Sequence, residues 1–284
     1  FVHYTQKVDG HKVRSRSQSF QDHFSQATLF WNSMSPAEKE HIIDAFHFEV
    51  GSVKDKKIKQ AVADMFAQVA PELGMQIAAG IGVNPPPQTA PSGVTASSPA
   101  LSQENTIKTA KTRKVAILVD NGYCPIAVQA MTDALKGAGA VPETVGISLA
   151  PITGRNSAKL APDKSLTTAG ALVYDAVFIP AGDHINALKQ NADARAFINE
   201  ALHHAKTIGA TNEGIDLLKA TDAASLISGL PGNAATPWVF QGIIAVNGAS
   251  DLKSFGTEFI NQLSQHRHWA RHALLINDLP NTAQ

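Results

Sequence analysis

The chain holds a single cysteine, Cys124, in 284 residues. One thiol excludes an internal disulfide and every Cys-x-x-Cys zinc or redox motif. Long apolar runs are also missing, and none approaches the roughly 18 residues that a bilayer-spanning helix needs. The first residues lack the charge–apolar–small order of a secretory signal. Excess charge of either sign is absent, with 24 basic against 24 acidic side chains. Nothing therefore favours nucleic acid or an anionic membrane over neutral partners. No G-x-G-x-x-G follows the first strand-like run and no G-x-x-x-x-G-K-[ST] occurs anywhere, which removes the two common phosphate-binding turns.

What remains is a chain with 44% hydrophobic residues, enough for a substantial core in one or two domains. Residues 1–33 read as irregular. Lys12, Arg14 and Arg16 alternate, so all three fall on one side of an extended, solvated arm; an anion patch is the alternative. Ser35-Pro36-Ala37-Glu38 is a helix start, with Ser as N-cap, Pro in the first turn and Glu at the capping-box position. Ile42, Ile43, Phe46 and Val50 then recur at helical spacing. A second helix is expected over 54–69, with Ile58, Val62, Met65, Phe66 and Val69 on one face, and a short third over 71–81. Residues 83–112 are dominated by Pro, Ser, Thr and Ala and lose all periodicity. Such a composition buries too little surface to offset chain entropy, so it reads as an extended linker.

From Arg113 the pattern changes. "KVAILVD" is a continuous apolar run, the mark of a strand buried on both faces. "PIAVQAMTDALKGAG" follows as an amphipathic helix stopped by Gly137 and Gly139. Further strands are expected at "VPETVGI", "YDAVFIPAG", "TIGAT" and "WVFQGIIAV". Helices are expected at "HINALKQNADARAFINEALHHAK", "NEGIDLLKA" and "DLKSFGTEFINQLSQHRHWAR". Strands alternating with helices predict a mostly parallel, doubly wound α/β sheet.

Specific stretches carry a resemblance. "DHFSQATLFW", "SPAEKEHIIDAF" and "FEVGSVKDKKI" resemble the segment of haem catalases where the chain enters the C-terminal helices. "HYTQKVDGHKVRSRSQSF" resembles the approach to that point in the large-subunit catalases. "KVAILV", "YDAVFIPAG" and "TIGATNEGIDLL" resemble the PfpI-type, glutamine-amidotransferase-like fold, a flavodoxin-like domain that the large-subunit catalases append after a linker. The closing "HRHWARHALLINDLP" resembles the end of those catalases. The expected division is 1–82 for arm and helices, 83–112 for linker, and 113–284 for the flavodoxin-like domain.

The resemblance also says where chemistry would sit. PfpI-type enzymes place a reactive cysteine at a sharp strand-to-helix turn, where the helix N-terminus stabilises a thiolate. The matching turn is "GATNEG", with Thr211 at the cysteine position. Tyr123 or Cys124 stands near the place of the acidic partner. Both members of the reactive pair are thus altered. Cys124, beside Pro125 at a helix start, could form a thiolate, but reads more simply as a small packed side chain. Asp120 and Asp183 would face the carboxyl edge of the sheet, where such folds bind ligands; Asp183 reads as an N-cap. The loop after the first strand lacks the Ser/Thr/Gly-rich run with which flavodoxins hold the flavin phosphate.

Adjacent His203 and His204 make poor co-ligands. His266, His268 and His272 are expected on the last helix, where only the last two share i,i+4 spacing. A surface or packing role is expected for them. Catalases bind haem iron through a tyrosine phenolate, and none of Tyr4, Tyr123 and Tyr174 lies in the Arg-rich motif which that family uses. The resemblance therefore implies a non-catalytic C-terminal region of a homotetrameric, haem-containing parent that disproportionates hydrogen peroxide. No catalytic, cofactor-binding or metal-binding residue is expected in this chain. Its partner would be the catalase core of the same polypeptide, with no nucleic acid and no membrane. Two other readings stay open: a chaperone-like module binding unfolded clients, and an independent hydrolase using Cys124. The compartment is not legible.

Overall fold

The computed structural model describes residues 2–88, 93–248 and 252–271. It separates into two compact units, Phe1–Asn105 and Thr106–Gln284.

The first unit is helical: α1 (Ser25–Ser33), α2 (Pro36–Gly51), α3 (Lys56–Phe66) and α4 (Pro71–Ile81). The capping box of α2 forms as expected. Glu38 N donates to Ser35 Oγ and Ser35 N donates to Glu38 Oε2. Asp55 caps α3, and α4 opens on Pro71 and ends at Gly82 in the left-handed region (φ 71°). Trp31, Ile43, Ala63, Leu73 and Ile77 form the core, with Ile42, Phe46 and Val50 packed against it. The α3 and α4 backbones approach closely at Gly74, where a Cβ would sit 2.6 Å from Ala67 Cβ.

Two expectations change here. Residues 25–33, expected to be irregular, are helix α1. Its anchors lie 41 residues away, where Thr28 Oγ1 donates to Val69 O and Trp31 Nε1 donates to Glu72 Oε1. No local pattern announces such contacts. On α3, Ile58 (52% exposed) and Met65 (44%) face outward while Ala63 is buried, so the apolar face is rotated from the expected stripe. Part of the expected linker packs within this unit. Asn32 Nδ2 donates to Val94 O, and Ser102 Oγ and Gln103 N donate to Glu38.

The second unit holds β1 (Lys114–Val119), α5 (Pro125–Gly137), β2 (Val141–Gly146), β3 (Ile152–Thr153), β4 (Lys159–Leu160), β5 (Lys164–Ser165) and β6 (Ala176–Ile179). It continues with α6 (Ile185–Gln190), α7 (Ala192–His203), β7 (Thr207–Thr211), α8 (Gly214–Leu218), β8 (Trp238–Phe240), β9 (Ile243–Val246) and α9 (Leu252–Ser264). Seven strands form one sheet in the order β5-β2-β1-β6-β7-β9-β8, parallel except β8. Its five longer parallel strands follow the flavodoxin-like order, with β5 and β8 added at the edges. β1 shows why both faces must be covered. Val115, Ile117 and Val119 meet Met131 and Leu135 of α5 and Phe255 and Phe259 of α9. Ala116 and Leu118 face the α6–α8 side with Leu188, Phe197, Ile198 and Leu217. Side chains alternate along a strand, so a run apolar at every position demands helices on both sides.

Three elements differ from the sequence reading. "WVFQGIIAV" is a hairpin, because Gln241 (φ 47°) and Gly242 (φ 75°) turn the chain back on itself. The long helix over 184–206 is two helices, divided at Asn191, whose side chain accepts from Ala194 N and restarts the ladder. The last helix stops at Ser264, and His266 adopts φ 73°. His266 and His268 therefore lie beyond α9, not on it. His272 falls outside the described residues.

Candidate functional site

Strand order reverses at β1, so the crevice where such folds bind ligands lies at the carboxyl ends of β1 and β6. Here that crevice is filled with backbone. Cys124 N donates to Ala181 O (2.9 Å), Asp183 N donates to Gly122 O (3.0 Å), and Tyr123 and Gly182 form an isolated bridge. Gly182 (φ 143°) is required, since a Cβ there would sit 2.5 Å from Gly122 O and 2.7 Å from His184 Nδ1.

The neighbouring elbow follows β7. Thr211 is the last residue of that strand and is fully buried; its Oγ1 accepts from Ala181 N at 2.9 Å. The strained position of the turn is Asn212 (φ 46°), whose Oδ1 accepts from Gly248 N. The hydroxyl at the position aligned with the reactive cysteine is thus turned into the fold and already engaged. Tyr123 is buried, and burial raises its phenol pKa. Cys124 is partly exposed at the N-cap of α5 and makes no side-chain cap. Asp120 Oδ1 accepts from Asn121 N.

Asp183 does not cap α6, as expected from its place in the sequence. Its carboxylate instead accepts from Arg155 Nη2 (2.9 Å), and the same nitrogen donates to Glu213 Oε1 (3.0 Å). Asp183 and then Glu213 hold the guanidinium well above its ordinary pKa. Burial works against the Glu213 charge, but the nearby Glu213 amide and Arg155 outweigh it and keep the carboxyl below its usual range. Sequence reasoning missed both Arg155 and Glu213. The adjacency of Glu213 to the elbow was a usable signal; Arg155, on an irregular loop, gave none.

His184 lies under this network, almost wholly buried. Its ring is near the Leu118 carbonyl, yet neither nitrogen meets hydrogen-bond geometry, and burial pushes the pKa down to about 4. Beside the elbow is an open cleft of about 670 Å3 between α8 and residues 224–232, reaching Asn247 and Gly248 after β9.

The remaining histidines scatter. His203 Nε2 pairs with Asp222 Oδ2 at 3.0 Å on the surface. His266 and His268 lie at the amino edge of the sheet, and burial takes both down to about 4. There Arg271, fully buried, donates from Nη1 to Gln241 O (3.0 Å) and from Nη2 to Lys206 O. Burial lowers the Lys206 pKa to about 8. Among the described residues no group of three or more His, Cys, Asp or Glu could hold a metal ion, and no helix is long and apolar enough to cross a membrane.

The tyrosines do not fit a haem ligand. Tyr4 stands on the exposed arm. The Tyr174 hydroxyl donates to Glu143 Oε2 (2.9 Å), and burial and then that carboxylate raise its pKa, disfavouring the phenolate. Tyr123 is shifted the same way.

Fold and site together define a flavodoxin-like α/β domain with a closed switch-point crevice and an elbow lacking an exposed nucleophile, preceded by a helical unit. Two family profiles match it. "Catalase-related immune-responsive" covers residues 17–81 and "C-terminal domain found in long catalases" covers residues 111–273. The chain belongs to the long-catalase family, in the part that forms the C-terminal domain. It is 43% identical over 271 residues to Catalase-2 of Bacillus subtilis, across 95% of this chain and 37% of that protein. It is 38% identical to a catalase of Alkalihalophilus pseudofirmus, again across 95% and 37%, and 35% identical to Catalase HPII of Mycobacterium avium, across 95% and 38%. The chain thus spans under two fifths of the length of these relatives.

Proposed function

We propose that this chain is the non-catalytic C-terminal region of a haem catalase, and that it serves the stability and assembly of a parent that disproportionates hydrogen peroxide. The observation carrying this reading is the match over 95% of the chain to relatives named catalases, of which it spans only 37%. The site chemistry supports it. The Thr211 hydroxyl is buried and engaged, and the buried tyrosines are held as phenols. The partner is the catalase core of the same polypeptide, in a homotetrameric parent. The site residues of this region are structural, with no catalytic, cofactor-binding or metal-binding role, and the haem belongs to the parent.

The test uses the isolated chain mixed with haem. The expected result is no stoichiometric Soret band and no oxygen release from peroxide. A Soret band at one haem per chain with oxygen evolution overturns the reading.

A second reading is favoured by one observation. The helical unit exposes Phe48 (80%), Ile58, Met65 and Met75. Exposed apolar surface of this kind suits binding of unfolded protein. Suppressed aggregation of an unrelated heated protein supports it; no suppression, with no binding of a hydrophobic dye, removes it. A PfpI-type hydrolase has less support, and ordinary alkylation kinetics at Cys124 would end it.

A further inference from the structure

Past α9 the chain turns at His266 and runs along the amino edge of the sheet to Arg271. The His268 amide donates to Ala205 O (2.8 Å), His268 Nε2 pairs with Thr207 Oγ1 (2.9 Å), and Arg271 Nη1 donates to Gln241 O (3.0 Å). Lys108 Nζ donates to Gln265 O (3.0 Å). This last contact ties the residues ahead of β1 to those behind α9.

His266 is the pivot of the segment. Its φ is 73° and its amide donates to Leu263 O at the end of α9. Its ring is packed, and Nδ1 lies 3.4 Å from Arg267 Nη1. A guanidinium only donates, so Nδ1 is the acceptor and the ring is neutral, with its proton on Nε2. A proton added at Nδ1 turns this contact into cation against cation. Arg113 and Lys108 face the same ring. The opposing carboxylate is Asp175, 4.0 Å from Nδ1, but its Oδ1 already meets Arg113 Nη1 and its Oδ2 accepts from Lys114 N. His268 faces Arg271, Lys108 and Arg267, while Lys206 beneath them faces Arg267 on one side and Asp175 and Glu200 on the other. Positive charge thus dominates the seat of this segment, and both rings reach water only when it leaves.

We propose that residues 265–271 form an acid-released latch: protonation of His266, followed by His268, drives the segment off the amino edge of the sheet and parts Gln265 from Lys108. The direction follows from the two rings. Burial, then Arg267 and Arg113, push the His266 pKa from 6.5 down to about 4; burial and then Arg271 do the same to His268. The docked segment refuses protons that the released one accepts. Docking is therefore at full strength above pH 6.5 and is lost as pH falls toward 4.

Amide hydrogen exchange on the full chain at pH 7 and pH 4.5, corrected for intrinsic rates, tests the latch. The reporters are the amides of His268 and Arg271, which donate to Ala205 O and His268 O, against Ile117 and Leu118 of β1. Acid is expected to cut the reporters' protection by roughly 10–100-fold more than that of β1. His266→Asn should abolish about tenfold of this loss, because Asn suits a positive φ, offers Arg267 an oxygen and does not titrate. His203→Asn, at the exposed pair with Asp222, should leave the acid loss unchanged. Nitrogen-15 shifts of the wild-type imidazoles give a second measurement, with His266 Nδ1 expected to be unprotonated at pH 7. Equal losses in β1 and the reporters, an acid loss undiminished in His266→Asn, or a His266 that protonates while the reporters stay protected would each overturn the proposal.

Discussion

Thr211 shows how one hydroxyl can serve packing rather than chemistry. It is the acceptor for the Ala181 amide, which is buried with it. Replacement by valine keeps the shape and orphans that amide, at a cost of about 1–3 kcal/mol. Urea unfolding of Thr211→Val should report that loss; an unchanged midpoint would show that the hydroxyl is not holding the loop.

His184, His266 and His268 act at the same scale. Burial is the first cause of each depression, from 6.5 to about 4. Above pH 6.5 these groups are neutral in both folded and unfolded chains. As pH falls from 6.5 toward 4, the unfolded chain takes up protons that the folded one refuses. Stability is therefore full above 6.5 and declines through this window, with a limiting slope of about 1.4 kcal/mol per pH unit for each proton. Carboxylates such as Glu38 and Glu213, held below 4.5, add their own loss only at lower pH. His184→Leu should reduce the slope between pH 6.5 and 4.5 by about one proton. An unaltered slope would show that His184 does not titrate this way.

At the scale of elements, starts and stops are set by a few side chains. The Ser35 cap of α2 closes a reciprocal pair with Glu38, and Glu38 also receives Ser102 and Gln103. Ser35→Ala should lower the stability of the helical unit by about 1 kcal/mol, read as a shift in its thermal transition. The turn between β8 and β9 depends on Gly242, which has positive φ and lies against the His268 ring with no room for a Cβ. Gly242→Ala should therefore displace residues 266–271 from the amino edge. Faster hydrogen exchange at the His268 amide, which donates to Ala205 O, would reveal it. Unchanged exchange would mean that the hairpin tolerates the methyl group.

At the scale of the whole molecule, each unit has its own core. The α/β unit covers its sheet on both faces without using a residue of the helical unit. A domain with a complete core folds alone. Residues 106–284 expressed separately should unfold in one cooperative transition with dispersed amide resonances. A collapsed, undispersed spectrum would show that the core is incomplete.

The legible parts of this fold were those with strong local signals. "KVAILVD" and "YDAVFIP" announce buried strands because apolarity at every position has no other use in a short run. Ser35 with Glu38 announces a helix start by the same local logic. The hairpin at Gln241-Gly242 is not legible in the sequence, because an apolar run hides a turn when both arms are strands. Two-residue strands β3, β4 and β5 carry no period to detect. The altered elbow was visible in "GATNEG", but the pairing of Arg155 with Asp183 and Glu213 was not, since those residues lie 28 and 58 positions away.

By itself, the sequence determined the alternation of buried strands and amphipathic helices, the helical segment ahead of them, and the kinship with long catalases. Those properties rest on local apolar patterns and on residue order, which survive without coordinates. Tertiary structure alone decided that the switch-point crevice is closed, that Thr211 faces inward, and that Arg155 ties Asp183 to Glu213. Each of these depends on groups brought together from distant positions, and only the packed sheet fixes their distances.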